Sequence, residues 1–184
     1  MAESPAPRPP LTAASDQAGV GGAPRSAAAG LGCPAAKQQD DRRVTELLGR
    51  EPAGQYEVVV RDSAGDPVVI RNVPLMDDGT PMPTLYWLVG KEASLTVSRL
   101  ESGGAVRRAE AEVDPEAVQE AHDRYAAERE ALIPAAHRGP RPSGGVGGTR
   151  KGVKCLHAHY AWFLAGGDDP VGRWVDEQLR QVPA

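Results

Sequence analysis

Cysteine is scarce in this sequence, and long apolar runs are absent. Cys33 and Cys155 are the two cysteines among 184 residues, which excludes a disulfide framework and favours a reducing compartment. No run approaches the roughly 18 apolar residues that a membrane span requires, so no membrane partner is expected. Residues 1–16 carry Glu3 and several prolines, where a signal peptide would have an apolar core. We therefore expect a cytoplasmic protein.

An excess of positive charge is absent as well. The chain has 21 Lys and Arg against 25 Asp and Glu, which gives a formal net charge of −4. This composition lacks the basic character of a nucleic-acid-binding domain, so we expect no nucleic-acid partner.

Residues 1–41 contain few large apolar side chains and are rich in Ala, Pro, Gly and Ser. Such a segment cannot bury enough apolar surface to offset the entropy lost on ordering, which predicts a disordered tail. The remaining length suits one ordinary domain, and we predict that it spans residues 42–182.

Helix and strand patterns alternate in this domain without a regular βαβ rhythm. Residues 56–62 and 67–72 are rich in β-branched side chains and flank the turn sequence SAGD, which predicts a β-hairpin. Residues 84–90 predict a short buried strand, and the alternating sequence AVRRAEAEV at 105–113 predicts an edge strand. Helices are predicted at residues 42–50, 91–104, 114–133 and 168–182.

Two of these helices carry strong start signals, because Asp114 and Asp169 are each followed by proline. The sequence GVKCLHAHYAWFLAGG is apolar on most sides and predicts a buried helix. We therefore predict an α+β fold: a small mixed or antiparallel sheet packed against several helices, with one central apolar helix near the C-terminus.

The distribution of charge indicates one local feature. No acidic residue occurs between Glu130 and Asp168, and this window contains five arginines and lysines. Its sequence SGGVGGTRKG offers glycine N–H groups ahead of a predicted helix, an arrangement that binds phosphate, sulfate or carboxylate. It matches neither a Walker loop nor G-x-G-x-x-G after a strand. The predicted ligand-binding residues are Gly144, Gly145, Gly147, Gly148, Thr149, Arg150, Lys151, Lys154 and His157.

Two interpretations of this basic window remain open at this point. In the first, its cations attract a phosphate-containing small molecule. In the second, they pair with the acidic helix at 114–132 and form an ordinary solvated face.

Cys155 and His159 are the candidate catalytic residues. They are four positions apart, so they share a face if this stretch is helical. A thiolate beside Lys154 could then act as a nucleophile with His159 as its base; the alternative is that Cys155 is a packing residue. His157 would point away from Cys155 on such a helix, and the chain lacks C-x-x-C and H-E-x-x-H, so neither a metal site nor a cofactor is predicted.

Several sequence blocks occur together in a known order: YEVVVRDSAGDPVVIRN, DGTPMPTLYWLVG, VSRLESGG, AHDRYAAERE and GPRPSGGVGGTRKGVKCLHAHYAWFLAGGDDPVGRWV. They resemble the bacterial family known as domain of unknown function 501, common in actinobacteria, and the resemblance covers about residues 42–176. It implies no established activity. It does imply genes near those of a septum-formation initiator protein and an exopolyphosphatase-type phosphatase. Some relatives carry cysteine and proline in place of Gly90 and Lys91, so a two-cysteine metal or redox role is not expected here.

These observations predict a non-catalytic module that binds a phosphate-like anion or a protein partner, with a link to cell division or polyphosphate metabolism. The alternative is a hydrolase or transferase that uses Cys155 and His159.

Overall fold

A three-stranded antiparallel sheet, six α-helices and a short 3₁₀ helix at Val146–Gly148 account for the regular structure in residues 34–181, the range that the computed structural model describes. The strands are β1 (Tyr56–Arg61), β2 (Pro67–Asn72) and β3 (Tyr86–Leu88). The helices are α1 (Pro34–Leu48), α2 (Lys91–Ser102), α3 (Ala105–Glu112), α4 (Pro115–Ala131), α5 (Leu156–Leu164) and α6 (Pro170–Gln181). This architecture confirms the predicted α+β class. None of these described helices combines the length and apolar character needed to cross a membrane.

The predicted hairpin is formed by β1 and β2, which pair antiparallel. Its turn is held by Asp62, whose Oδ1 atom accepts hydrogen bonds from the N–H groups of Ala64 and Asp66, both at 2.9 Å. Gly65 adopts φ +88°, a conformation that glycine reaches without strain. Strand β3 pairs antiparallel with the other edge of β2, so β2 is the central strand.

The two faces of the sheet belong to two different apolar clusters, because neighbouring side chains on a strand point to opposite faces. Val69 and Leu88 belong to the main core, which also contains buried residues of α2 to α6. Ile70 belongs to a smaller cluster with Val44 of α1 and Val89. The main core therefore lies on the side of the sheet that carries the candidate site.

Helix α5 lies against β3, α6 and α2. Six of its nine residues are buried: Leu156, Ala158, His159, Tyr160, Ala161 and Trp162. Its first turn is therefore held from several sides, which fixes the positions of the residues just before it.

Two features differ from the expectations. Residues 105–112 form helix α3 rather than an edge strand, because Ala105 and Ala109 are both fully buried one helical turn apart. Helix α1 begins at Pro34 rather than near Arg42. Residues 1–33 lie outside the described residues, so for them the disordered tail predicted at 1–41 stays a prediction, as do the domain limits at 42–182; residues 34–41 lie in α1.

The three tryptophans make different contacts, although Trp162 and Trp174 both belong to the main core. Trp162 of α5 donates a hydrogen bond from Nε1 to Glu128 at 3.0 Å. Trp174 of α6 donates to Glu112 of α3 at 2.8 Å. Trp87 of β3 packs against the smaller cluster beside α1.

Candidate functional site

The residue at the start of α5 is Cys155, which precedes the helix instead of lying inside it. Its backbone is extended, with φ −156° and ψ 123°, and it occupies the N-cap position. The first helical N–H group, that of Leu156, donates to Glu101 Oε1 at 2.6 Å. Because Cys155 is outside the helix, the helical spacing that the sequence analysis assumed does not apply to it.

The side chain that meets Cys155 is His157. The Sγ atom of Cys155 lies 3.8 Å from His157 Nδ1, and the same nitrogen lies 3.3 Å from Glu101 Oε1. One ligand atom from each of the three residues lies within 4.8 Å of the other two. We refer to Glu101, Cys155 and His157 as the α2–α5 cluster. The expectation that His157 points away from Cys155 was wrong, because it required Cys155 to be helical.

The other ring nitrogen of His157 is fixed by α2. Nε2 lies 3.1 Å from the Ser94 carbonyl oxygen and 3.1 Å from Ser98 Oγ. A carbonyl oxygen can only accept, so Nε2 carries a hydrogen and donates it, while Nδ1 faces the thiol and the carboxylate. Hydrogen bonding to Cys155 and the charge of Glu101 raise the pKa of His157 to about 9, against the opposing effect of burial.

His159 has a different partner from the one expected. Its Nδ1 atom lies 2.7 Å from Asp169 Oδ2, and the side chains of both residues are almost completely buried. Its Nε2 atom has no hydrogen-bond partner within the described part of the chain. The structure therefore brings Cys155 together with His157, and it brings His159 together with Asp169.

The glycine-rich segment, residues 144–152, uses four of its backbone N–H groups within the protein. Gly145 N–H donates to the Thr149 carbonyl at 2.6 Å, Gly148 N–H to the Gly145 carbonyl at 3.0 Å, and Thr149 N–H to the Val146 carbonyl at 3.3 Å. Val146 N–H donates to His122 Nδ1 at 3.1 Å. These four donors are thus already satisfied without an external ligand.

Close packing explains two of the glycines. A Cβ atom on Gly145 would lie 2.3 Å from the Cβ of His122. Gly144 has φ +77°, and a Cβ there would lie 2.5 Å from the Gly148 carbonyl oxygen. A side chain at Gly145 would force the segment away from α4, and one at Gly144 would disrupt the turn of the segment itself, so both glycines are required by the fold.

Carboxylates of the protein reach two further N–H groups of this region. Glu110 Oε1 accepts a hydrogen bond from Val153 N–H at 2.9 Å, and Glu101 Oε1 accepts from Leu156 N–H. The positive end of α5 is therefore already faced by an acidic side chain.

The cationic side chains of the region remain unpaired. Arg150, Lys151 and Lys154 are exposed, and none of them forms an ion pair with another residue in the described range. Thr149 directs its hydroxyl to the Lys151 carbonyl at 3.1 Å. The region thus presents positive charge to solvent through its side chains.

Two residues of the site, Glu101 and Arg129, were not predicted from the sequence. Glu101 lies seven positions after Ser94 and three after Ser98, so these polar residues share a face of α2, a spacing that could have indicated the site. Arg129 continues the buried stripe of α4 that includes Tyr125, and such a stripe normally excludes arginine.

Arg129 forms hydrogen bonds at the start of the glycine-rich segment. Its guanidinium donates to the carbonyls of Pro83 at 2.9 Å, Gly144 at 2.7 Å and Pro142 at 3.3 Å. Burial lowers the pKa of Arg129 from its ordinary value. Helix α4 therefore fixes the start of the segment through hydrogen bonds from Arg129 to backbone carbonyl groups.

The comparisons with known proteins find one match. A family described as "Protein of unknown function (DUF501)" matches residues 58–177, a range that includes the α2–α5 cluster and the glycine-rich segment and excludes α1. No curated protein and no solved structure matches the chain.

Proposed function

The chain belongs to the DUF501 family of proteins of unknown function, and we propose that it is a non-catalytic module that binds a phosphate-like anion. The binding groups are the side chains of Arg150, Lys151 and Lys154. They follow one another closely along the chain and are all exposed. Adjacent cations of this kind create a local positive potential even on a protein of net negative charge.

One observation carries this proposal. The carboxylates of Glu110 and Glu101 both reach the region, yet they accept hydrogen bonds from the backbone N–H groups of Val153 and Leu156. The neighbouring cations are left without an ion-pair partner among residues 37–181. In the wider basic window, Arg141 does pair with Glu130 of α4, as the solvated-face interpretation expected. For Arg150, Lys151 and Lys154 the separation favours an external anion as their counter-charge.

The proposal changes the roles of the other predicted residues. Gly144, Gly145, Gly147 and Gly148 shape the segment in this proposal instead of cradling the ligand, since the N–H groups of Gly145 and Gly148 already donate within the protein. His157 is left out of the anion site, because both of its ring nitrogens face protein groups.

The hydrolase or transferase alternative has less support. It needs His159 as the base for Cys155, but His159 is buried and bonded to Asp169. A general base must lie within hydrogen-bond reach of the proton that it abstracts.

The test is calorimetric titration with inorganic phosphate and with tripolyphosphate at low and high salt. The triple variant Arg150→Ala, Lys151→Ala, Lys154→Ala should bind at least about tenfold more weakly, and affinity should fall as salt increases. A matched control replaces three other exposed cations that have no ion-pair partner in this range: Arg42, Lys91 and Arg107. The control should bind like the unchanged protein.

Two results would overturn the proposal. One is the absence of measurable binding of either anion to the unchanged, folded protein. The other is an equal loss of affinity in the two triple variants, because that loss would reflect net charge rather than a site.

A further inference from the structure

We propose that Glu101, Cys155 and His157 form a zinc site, with three protein ligands and a fourth position open to water. This inference concerns a second site and goes beyond anion binding. It commits to Zn²⁺ because thiolate, imidazole and carboxylate are all ligands that zinc accepts, whereas calcium and magnesium prefer oxygen alone.

The spacing of the ligand atoms fits a tetrahedral ion. Zinc bonds of about 2.3 Å to sulfur and about 2.0 Å to nitrogen and oxygen place sulfur and nitrogen about 3.6 Å apart, and nitrogen and oxygen about 3.3 Å apart. The observed separations are 3.8 Å for Cys155 Sγ to His157 Nδ1 and 3.3 Å for His157 Nδ1 to Glu101 Oε1. The third pair, Cys155 Sγ and the Glu101 carboxylate, lies within 4.8 Å, and binding of the ion would bring these two atoms to about 3.6 Å from each other.

The groups around the ligands also fit a metal centre. The hydrogen bond from His157 Nε2 to the Ser94 carbonyl holds the ring so that Nδ1 faces the site, as is usual for a metal-bound histidine. Glu101 is oriented by the N–H group of Leu156. A thiolate and a carboxylate together would balance the charge of the divalent ion.

The cluster is accessible to an incoming ion. About a quarter of the side-chain surface remains exposed at both His157 (23%) and Glu101 (26%), and Cys155 is only partly buried. The ligands come from α2 and from the start of α5, so bound zinc would join these two elements. Their separation along the chain also explains why no compact zinc motif is present.

The experiment begins with chelator-treated protein, which is titrated with Zn²⁺ against a colorimetric competitor and separately with Co²⁺. We expect one equivalent of each metal, and a thiolate-to-cobalt charge-transfer band in the near ultraviolet. Cys155→Ser should abolish that band. Cys155→Ser and His157→Gln should each weaken zinc binding at least about tenfold. Cys33→Ser is the matched cysteine control and should retain both the stoichiometry and the band.

Glu101→Gln distinguishes zinc binding by residue 101 from its hydrogen bond to the start of α5. The amide oxygen of glutamine can still accept from Leu156 N–H, whereas it is a poorer zinc ligand than a carboxylate. Circular dichroism establishes that each variant is folded. The proposal is overturned if the unchanged protein takes up no stoichiometric zinc, if its cobalt form lacks the sulfur band, or if Cys155→Ser binds zinc as tightly. It is also overturned if an alkylating reagent modifies Cys155 equally fast with and without zinc, because a ligated thiolate is protected.

Discussion

At the scale of single residues, His122 joins α4 to the glycine-rich segment through both ring nitrogens. Nδ1 accepts a hydrogen bond from Val146 N–H, so the hydrogen of the neutral ring lies on Nε2, which donates to the Gly152 carbonyl at 3.0 Å. The residue is almost completely buried, and burial lowers its pKa from the ordinary value. The folded protein therefore keeps this ring neutral where an exposed histidine would be charged.

This arrangement predicts a loss of stability in mild acid. Below about pH 6.5 the unfolded chain takes up a proton on His122 that the folded chain resists, so the free energy of unfolding falls as pH decreases. We expect His122→Gln to be less stable than the unchanged protein at neutral pH, by about 1–3 kcal/mol, but to lose less stability between neutral pH and about pH 5.5. Urea unfolding at the two pH values measures both quantities.

His137→Gln provides the control, because His137 lies in the loop after α4 and is less buried. It should show the same acid-induced loss as the unchanged protein. An identical loss in His122→Gln would contradict the assignment of this effect to His122.

At the scale of helices, α4 and α6 begin with the same Asp-Pro sequence but in different surroundings. Asp114 is exposed and accepts from Glu116 N–H at 3.1 Å. Asp169 is fully buried, and its Oδ1 atom accepts from the N–H groups of Val171 and Gly172, both at 2.9 Å. Because its Oδ2 atom also contacts His159, Asp169 connects the start of α6 to α5.

The two caps should therefore differ in energy. Asp114→Ala should cost about 1 kcal/mol, the ordinary value for an N-cap. Asp169→Ala should cost at least about twice as much, since it also leaves His159 Nδ1 buried without a partner. Chemical denaturation of the two variants gives the comparison, and equal losses would show that the contact between Asp169 and His159 contributes nothing.

These helices also show how far the sequence predicts the fold and the site. Both Asp-Pro starts and the hairpin at the SAGD turn were predictable, because local chemistry determines them. Helix α3 was not predictable, because its sequence alternates between apolar and charged residues as a strand does. The burial of Ala105 and Ala109 depends on neighbours that are distant in sequence. The α2–α5 cluster was not predictable either, since a one-residue change in where α5 begins decides which histidine meets Cys155.

At the scale of the whole molecule, the sheet is covered unequally on its two faces. The main core packs against one face, while α1 covers the other through a small cluster that includes Val44 and Ile70. The ion pairs that attach α1, such as Arg61 with Asp40, are partly exposed and contribute little free energy. Helix α1 also lies outside the residues that the family matches.

We therefore expect α1 to open separately from the main core. Hydrogen exchange followed by mass spectrometry should show peptides of α1 exchanging at least about tenfold faster than those of α5. Val44→Ala should accelerate exchange in α1 and leave α5 nearly unchanged. Equal protection of α1 and α5 would mean that the two faces unfold as one unit.

The placement of the tryptophans gives the protein three built-in optical probes. Trp87 adjoins α1, Trp162 bonds to α4 within the main core, and Trp174 connects α6 to α3 at another part of that core. Retaining one indole at a time, with phenylalanine at the other two positions, would turn intrinsic fluorescence into a regional signal. Release of α1, loosening of the core and separation of α6 from α3 could then be followed as distinct emission changes, without an attached dye.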